Sequence, residues 1–196
     1  MTSKKKIAIA GATGFIGRWF IDTYKNQYDI VALSRKKTSF NDKMEWRMVD
    51  LFSISSSVEA LKGVDYALYL VHSMQPSTRL NQSNFEDTDL LLADNFSRAA
   101  AICNLEHIVY VGGILPKDNL NISKHLQSRY EVEQVLGSRK TPLTTIRAGI
   151  IIGPGGSSFK IIEKLVENLP IMVCPKWTKS KNQPVDLRVA LKTIEE

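Results

Sequence analysis

Cysteine is scarce in this sequence: two in 196 residues, Cys103 and Cys174. Their separation lacks the paired spacing of a zinc site and leaves two buried thiols in a reducing compartment as the reading. No apolar run approaches the eighteen or so residues that a membrane-crossing helix requires. The opening stretch from Met1 to Ala10 is basic, then apolar, in the order of a signal peptide. Its apolar part is too short and runs straight into glycines, so it reads as a buried strand. A cytoplasmic protein with no membrane partner is expected. Internal repeats and low-complexity tracts are also absent.

Charge of one sign is not dominant: 26 Lys and Arg stand against 20 Asp and Glu, a net +6. The excess gathers in Lys4 to Lys6, Arg35 to Lys37 and Lys176 to Lys181. These clusters lack interleaved aromatics and any nucleic-acid-binding motif, so no nucleic-acid partner is expected. Trp19, Trp46 and Trp177 show no stacking pattern and read as core or half-buried residues. Glu86, Asp87 and Asp89 fall in the first turns of a long helix, where they complement its dipole without a metal. No metal site is expected.

What is present is an alternation of apolar runs with amphipathic stretches, the pattern of βαβ units around a parallel sheet. Strands are expected at 6–10, 29–33, 45–49, 66–71, 107–111 and 144–148. Helices are expected at 15–26, 53–61, 84–103 and 123–136, with Phe15, Ile16, Trp19 and Phe20 on the apolar side of the first. In the tail the reading is a helix at 159–168, a short strand at 171–173 and a final helix at 185–195. The fold class is therefore α/β: a doubly wound parallel sheet of the Rossmann type, helices on both faces, with a small C-terminal appendage. Residues 1–196 read as one dinucleotide-binding domain, 153–196 forming a minimal substrate-side extension.

Between the first strand and first helix lies Gly11-Ala-Thr-Gly14-Phe-Ile-Gly17. The spacing G-x-x-G-x-x-G in that context is a dinucleotide signature. Gly11 makes the tight turn, Gly14 admits the pyrophosphate and Gly17 lets the helix lie close. The helix start then turns N–H groups toward the phosphates. The bland alternative is a strand-to-helix turn that binds nothing. At the end of the second strand an NAD site carries an acid for the ribose hydroxyls. Here the chain reads Leu33-Ser34-Arg35-Lys36-Lys37, with no acid. Arg35 can pair with the 2′-phosphate of NADP, and Ser34 can donate its hydroxyl to it. A solvated basic turn is the alternative.

Further segments carry a family resemblance: Val49-Asp50-Leu51, Tyr69-Leu-Val-His-Ser-Met74, Arg147-Ala-Gly-Ile-Ile-Ile-Gly-Pro-Gly155, Ser157-Ser-Phe159 and Leu169-Pro-Ile-Met-Val173. With the glycine loop, they make nearly the whole chain resemble the short-chain dehydrogenase/reductase superfamily. It looks most like the extended and atypical branches, near the sugar-nucleotide epimerases and the NmrA-like regulators. The resemblance implies that Asp50 and Leu51 meet adenine. Leu70, Val71 and His72 would line the cofactor at the end of the fourth strand, and Gly112 and Gly113 would sit at the end of the fifth. The candidate cofactor set is thus Gly11, Thr13, Gly14, Phe15, Ile16, Gly17, Ser34, Arg35, Asp50, Leu51, Leu70, Val71, His72 and Gly112, holding NADP(H) in preference to NAD(H).

The family's reductase chemistry uses Tyr-x-x-x-Lys on a helix, assisted by a serine on the fifth strand. This chain has His125-Leu-Gln-Ser128-Arg129-Tyr-Glu-Val-Glu133, and Gly112-Gly113 in place of the serine. His125 stands at the tyrosine position and Arg129 at the lysine position; Tyr130, one residue on, points elsewhere. A neutral imidazole can still move a proton near pH 7. The alternative for His125 is a surface residue without chemistry; for His72, one that only shapes the pocket. His107 begins a strand and reads as structural. Two functions follow. One is an oxidoreductase or epimerase-like enzyme on an unknown small molecule, with His125 as acid/base, Arg129 as ribose clamp and Ser157 to Phe159 closing over substrate. The other is a non-catalytic NADP(H) sensor that answers to a protein partner.

Overall fold

Period-two alternation of apolar side chains with both phases buried is the signature of a strand covered on both faces. β1 (Lys6–Ala10) shows it plainly. Ala8 and Ala10 belong to one apolar cluster, Ile7 and Ile9 to the other. The same division runs through β2 (Asp29–Ser34), β4 (Tyr66–Tyr69) and β5 (His107–Gly113). Val31, Leu33, Tyr69 and Tyr110 face one way, Ile30, Ala32, Leu68 and Val111 the other. With β3 (Glu45–Met48) and β6 (Leu143–Ala148) they make a six-stranded sheet in the order β3-β2-β1-β4-β5-β6, all neighbours parallel. The computed structural model describes residues 4–36, 44–72, 85–116, 122–168 and 182–196.

Helices cover both faces, as a parallel sheet requires. On one lie α2 (Ile54–Leu61), α3 (Phe85–Ile102) and α4 (Lys124–Leu136), contributing Leu61, Phe96, Val132 and Leu136 to the core. On the other lie α1 (Phe15–Tyr24) and α6 (Leu187–Glu195), contributing Phe20, Ile21, Leu187, Leu191 and Ile194. The fold is a Rossmann-type α/β sandwich. The strand order reverses between β1 and β4, so the crevice outside their carboxyl ends is where such a sheet takes a ligand.

The structure departs from the sequence reading in four places. β4 stops at Tyr69, so Leu70, Val71 and His72 form a loop rather than a strand end. α1 ends at Tyr24, where the chain turns toward β2. Val185 and Asp186 do not begin the last helix: β8 (Val185–Asp186) pairs with β7 (Ile151–Ile152) in a separate parallel sheet, and Asp186 caps α6. Two-residue strands leave no periodicity to read. Trp19 is not on the core side of α1; it is 38% exposed, and its indole N–H donates to the Pro154 carbonyl at 3.0 Å. The remaining tail helix, α5, spans Ser157–Asn168. The strand expected at 171–173, together with Cys174, Trp177 and the basic cluster from Lys176, lies outside the described residues.

Phe96 is fully buried beneath the sheet, its ring edge-on to Tyr69 with centroids 4.9 Å apart. Phe96→Ala should therefore cost about 3–5 kcal/mol, the usual range for emptying a packed aromatic site. Urea unfolding followed by far-UV circular dichroism measures it.

Candidate cofactor site

The glycine loop is built by two close backbone approaches. Gly11 leaves β1 with φ +95°, and a Cβ there would stand 3.0 Å from the Leu70 Cβ. Its carbonyl accepts from the Gly14 amide at 2.9 Å, closing the turn. A Cβ on Gly17 would lie 2.5 Å from the Gly11 oxygen and 2.9 Å from the Ala12 Cα. Gly17 thus serves the loop's return onto its own helix, a tighter constraint than helix against sheet. Gly14 is the N-cap of α1, and no side chain caps that helix. By contrast α2, α4 and α6 are each capped by a side chain of their own, from Ser53, Ser123 and Asp186. The start of α1 is therefore an uncapped positive dipole end beside an exposed Gly14, the geometry that suits a pyrophosphate.

Around this loop the other expected residues gather at the carboxyl ends of the strands. Thr13 is exposed; Phe15 and Ile16 are half-buried against the α1/α6 core. Ser34 ends β2, its hydroxyl accepting from the Lys36 amide at 3.3 Å, while Arg35 is exposed. The end of β3 lies beside it through the Val49 amide, which donates to the Ser34 carbonyl. Asp50 then accepts from the Phe52 amide, and Leu51 is buried. Leu70 donates its amide to the Ala10 carbonyl at 2.8 Å, so the loop after β4 continues alongside β1. Gly112 is the last but one residue of β5, and a Cβ there would press on Tyr110 at 3.2 Å and Thr145 at 3.3 Å.

A second group sits where β5 meets α4. His72 lies edge-on to Tyr110 at 6.2 Å between ring centroids, and the Tyr110 hydroxyl donates to the Arg129 carbonyl at 3.3 Å. Gly113 leaves room for α4: a Cβ there would meet the Leu126 Cδ2 at 2.5 Å and the Arg129 Cδ at 3.5 Å. The absence of a serine at this strand end is thus coupled to how closely α4 approaches. His125 is exposed and Arg129 half-buried, four residues apart on one face of the helix. Burial is the main cause that lowers the His72 pKa to about 3, with Arg129 and His125 adding to it. Burial, then Arg129, also lowers that of His125, against a smaller opposite push from Asp89. Burial raises that of Tyr110. Both imidazoles are neutral at pH 7.

Two participants escaped the sequence reading. Tyr110 sits in an apolar strand and looked like core. Asp89, assigned to dipole complementation, is only 9% exposed and acts on Tyr69, Tyr110 and His125. Its phase could have betrayed it, since Asp89 shares the buried stripe of α3 with Leu92 and Phe96. Tyr130 lies near Arg147, which is held by a bidentate pair with Glu133. His107 bonds Thr144 at the opposite end of β5. Among the described residues no group of three His, Cys, Asp or Glu could hold a metal ion, and no helix is long and apolar enough to cross a membrane.

Residues 7–128 match the sequence model of the NAD dependent epimerase/dehydratase family. The chain belongs to that family. It is 32% identical over 148 residues to the auxiliary protein GraX of Staphylococcus aureus, a match covering 72% of this chain and 43% of that protein. The chain thus spans less than half the length of this curated relative. Among solved structures, the Bordetella bronchiseptica enzyme WbmG in complex with NAD and UDP is similar in fold. Its TM-score is 0.80 at 13% identity, over 99% of this chain and 69% of that one. The UDP-N-acetylglucosamine 4-epimerase of Bacillus cereus gives a TM-score of 0.71 at 20% identity, over 97% and 73%. The triphenylmethane reductase of Citrobacter sp. gives 0.65 at 21%, over 83% and 53%. The family resemblance in the sequence and the sheet order agree with these matches.

The depressed His72 pKa has a stability consequence of definite sign. Below the ordinary histidine value of 6.5 the unfolded chain takes up a proton that folded His72 refuses, down to about pH 3. Stability therefore falls as pH drops through that window. Between pH 7 and pH 5 the loss should reach up to about 2 kcal/mol, and His72→Asn should remove it. Urea unfolding at the two pH values, on both proteins, makes the comparison.

Proposed function

We propose that the crest of this sheet binds a nicotinamide dinucleotide, NADP(H) in preference to NAD(H), and that the protein is an oxidoreductase or epimerase-like enzyme of altered chemistry. The observation that carries the reading is the uncapped start of α1 beside a loop whose Gly17 has no space for a side chain. Gly11, Thr13, Gly14, Phe15, Ile16 and Gly17 would hold the pyrophosphate. Asp50, Leu51, Leu70, Val71, His72 and Gly112 would line the rest of the crevice. Exposed Arg35, with Ser34 before it and no acid at the strand end, supports the 2′-phosphate preference. The chain's membership of an NAD dependent family supports the dinucleotide itself.

When bound, the nicotinamide supplies or accepts a hydride. His125 then moves the proton at the substrate oxygen, and Arg129 holds its charge beside it. A neutral imidazole is a weaker acid than imidazolium, so turnover is slow. One observation favours a second reading, a non-catalytic NADP(H) sensor: the curated relative at 32% identity is described as an auxiliary protein.

Titration calorimetry should give saturable NADPH binding, with NADH weaker by roughly tenfold to a hundredfold, the worth of about 1.5–3 kcal/mol for a charged hydrogen bond. Arg35→Ala should remove most of that preference, and Gly14→Val should abolish binding of both. Equal affinities in the unaltered protein would refute the preference. A carbonyl-substrate screen followed by NADPH absorbance should show slow turnover that His125→Ala removes and Tyr130→Phe leaves. Turnover lost in Tyr130→Phe alone would overturn the helix reading, and tight NADPH binding without turnover would favour the sensor.

A further inference from the structure

The group at the β5–α4 junction holds a positive charge whose field its neighbours do not cancel. The Nε of Arg129 is buried and, among the described residues, has no hydrogen-bond partner. A buried N–H of a charged group left unpaired is costly, and its retention calls for a physical reason, of which a missing ligand is one. Asp89 and Glu133 are acids whose fields reach this group at Tyr110, and at His125 the Arg129 charge outweighs that of Asp89. At His72 the Arg129 charge acts in the same direction. Bare Gly113 lies against the aliphatic part of the Arg129 side chain, its missing Cβ 3.5 Å from Cδ and 3.9 Å from Nη1.

We propose that Arg129 binds the carboxylate of a second, carboxylate-bearing small ligand beside the dinucleotide, with His72 and His125 flanking it. The proposal rests on the dinucleotide reading of the crest and names the substrate class for it. The planar guanidinium carries its two terminal nitrogens side by side, a fork that matches the two oxygens of a carboxylate. One guanidinium flanked by two neutral imidazoles supplies a single positive charge. That suits a monoanion better than a phosphate dianion. The imidazoles can each give or accept one hydrogen bond without adding charge.

The three histidines of the chain make the test direct, because His107 lies at the far end of β5 and serves as an internal control. Acetate is titrated at pH 7 and constant ionic strength while the imidazole C2–H signals are followed by NMR, with and without NADPH. His72 and His125 should shift saturably and His107 should not. Arg129→Gln should weaken acetate by about tenfold or more, Arg129→Lys by less, since it keeps the charge and loses the fork. An unchanged His107 signal certifies that each variant is folded. Inorganic phosphate should bind more weakly than acetate.

Equal movement of all three signals, or none, overturns the proposal, as does an acetate response that survives Arg129→Gln. Phosphate binding tighter than acetate overturns the choice of a carboxylate. Displacement of acetate by NADPH would make Arg129 a cofactor clamp and end the proposal too. NADPH binding is read separately by its own fluorescence. A protein that binds NADPH but shows no acetate response loses only the carboxylate site. One that takes acetate at Arg129 but no NADPH loses the dinucleotide reading instead.

Discussion

The carbonyl of Gly11 is the atom on which the architecture of the crest turns. It accepts the Gly14 amide, and the α-carbon of Gly17 comes so close that any side chain there would collide with it. That double approach fixes where α1 begins and how it leaves β1. The first-turn N–H groups of α1 are then aimed over the switch point of the sheet, where Leu70 continues past β1. A shift of the loop would misplace the positive helix end and the adjoining ends of β2, β4 and β5 relative to one another. The electrostatics of the crest are thus inherited from a steric fact about three glycines.

At the other side of the crevice the controlling feature is again a missing side chain. Bare Gly113 lets Leu126 and Arg129 settle against the end of β5. The guanidinium then sits near two imidazoles, each already disfavoured as a cation by burial. The charge on the arginine favours neutrality on both histidines, because protonating either ring would set like charges near one another. The pair at His125 and Arg129 is therefore a different device from a tyrosine and lysine.

Much of this was legible in the sequence. Gly11, Gly14 and Gly17 follow a strand and open a helix, and a parallel sheet buried on both sides writes its period into Ile7 to Ala10. The starts of α2 and α4 were readable to within a residue, at Ser53 and Ser123. What stayed hidden depended on distance in the chain. Nothing local marks Tyr110 as the residue that ties β5 to the Arg129 backbone, because a tyrosine between two valines is what any core strand contains. Trp19 looked like core from its helical phase alone, yet a carbonyl 135 residues away claims its indole. Two-residue strands such as β7 and β8 are defined by their partner and carry no period of their own.

The seam between α1 and α6 has a kinetic side. Gln27 and Tyr28, just after α1, bond Glu195 across 168 and 167 residues, and Leu187, Leu191 and Ile194 cover the β1 face beside Phe20 and Ile21. Closing so long a loop is slow, because its entropy is spent before the contacts reward it. During synthesis the first strand, the glycine loop and the first helix leave the ribosome well before α6, so their outer apolar face waits for a helix made much later. Over that interval Ile7, Ile9, Phe20 and Ile21 form an open greasy surface on a growing chain. The element that looks most like a self-sufficient motif thus depends for its outer face on a helix made long after it, and until then that face needs shelter from other nascent chains.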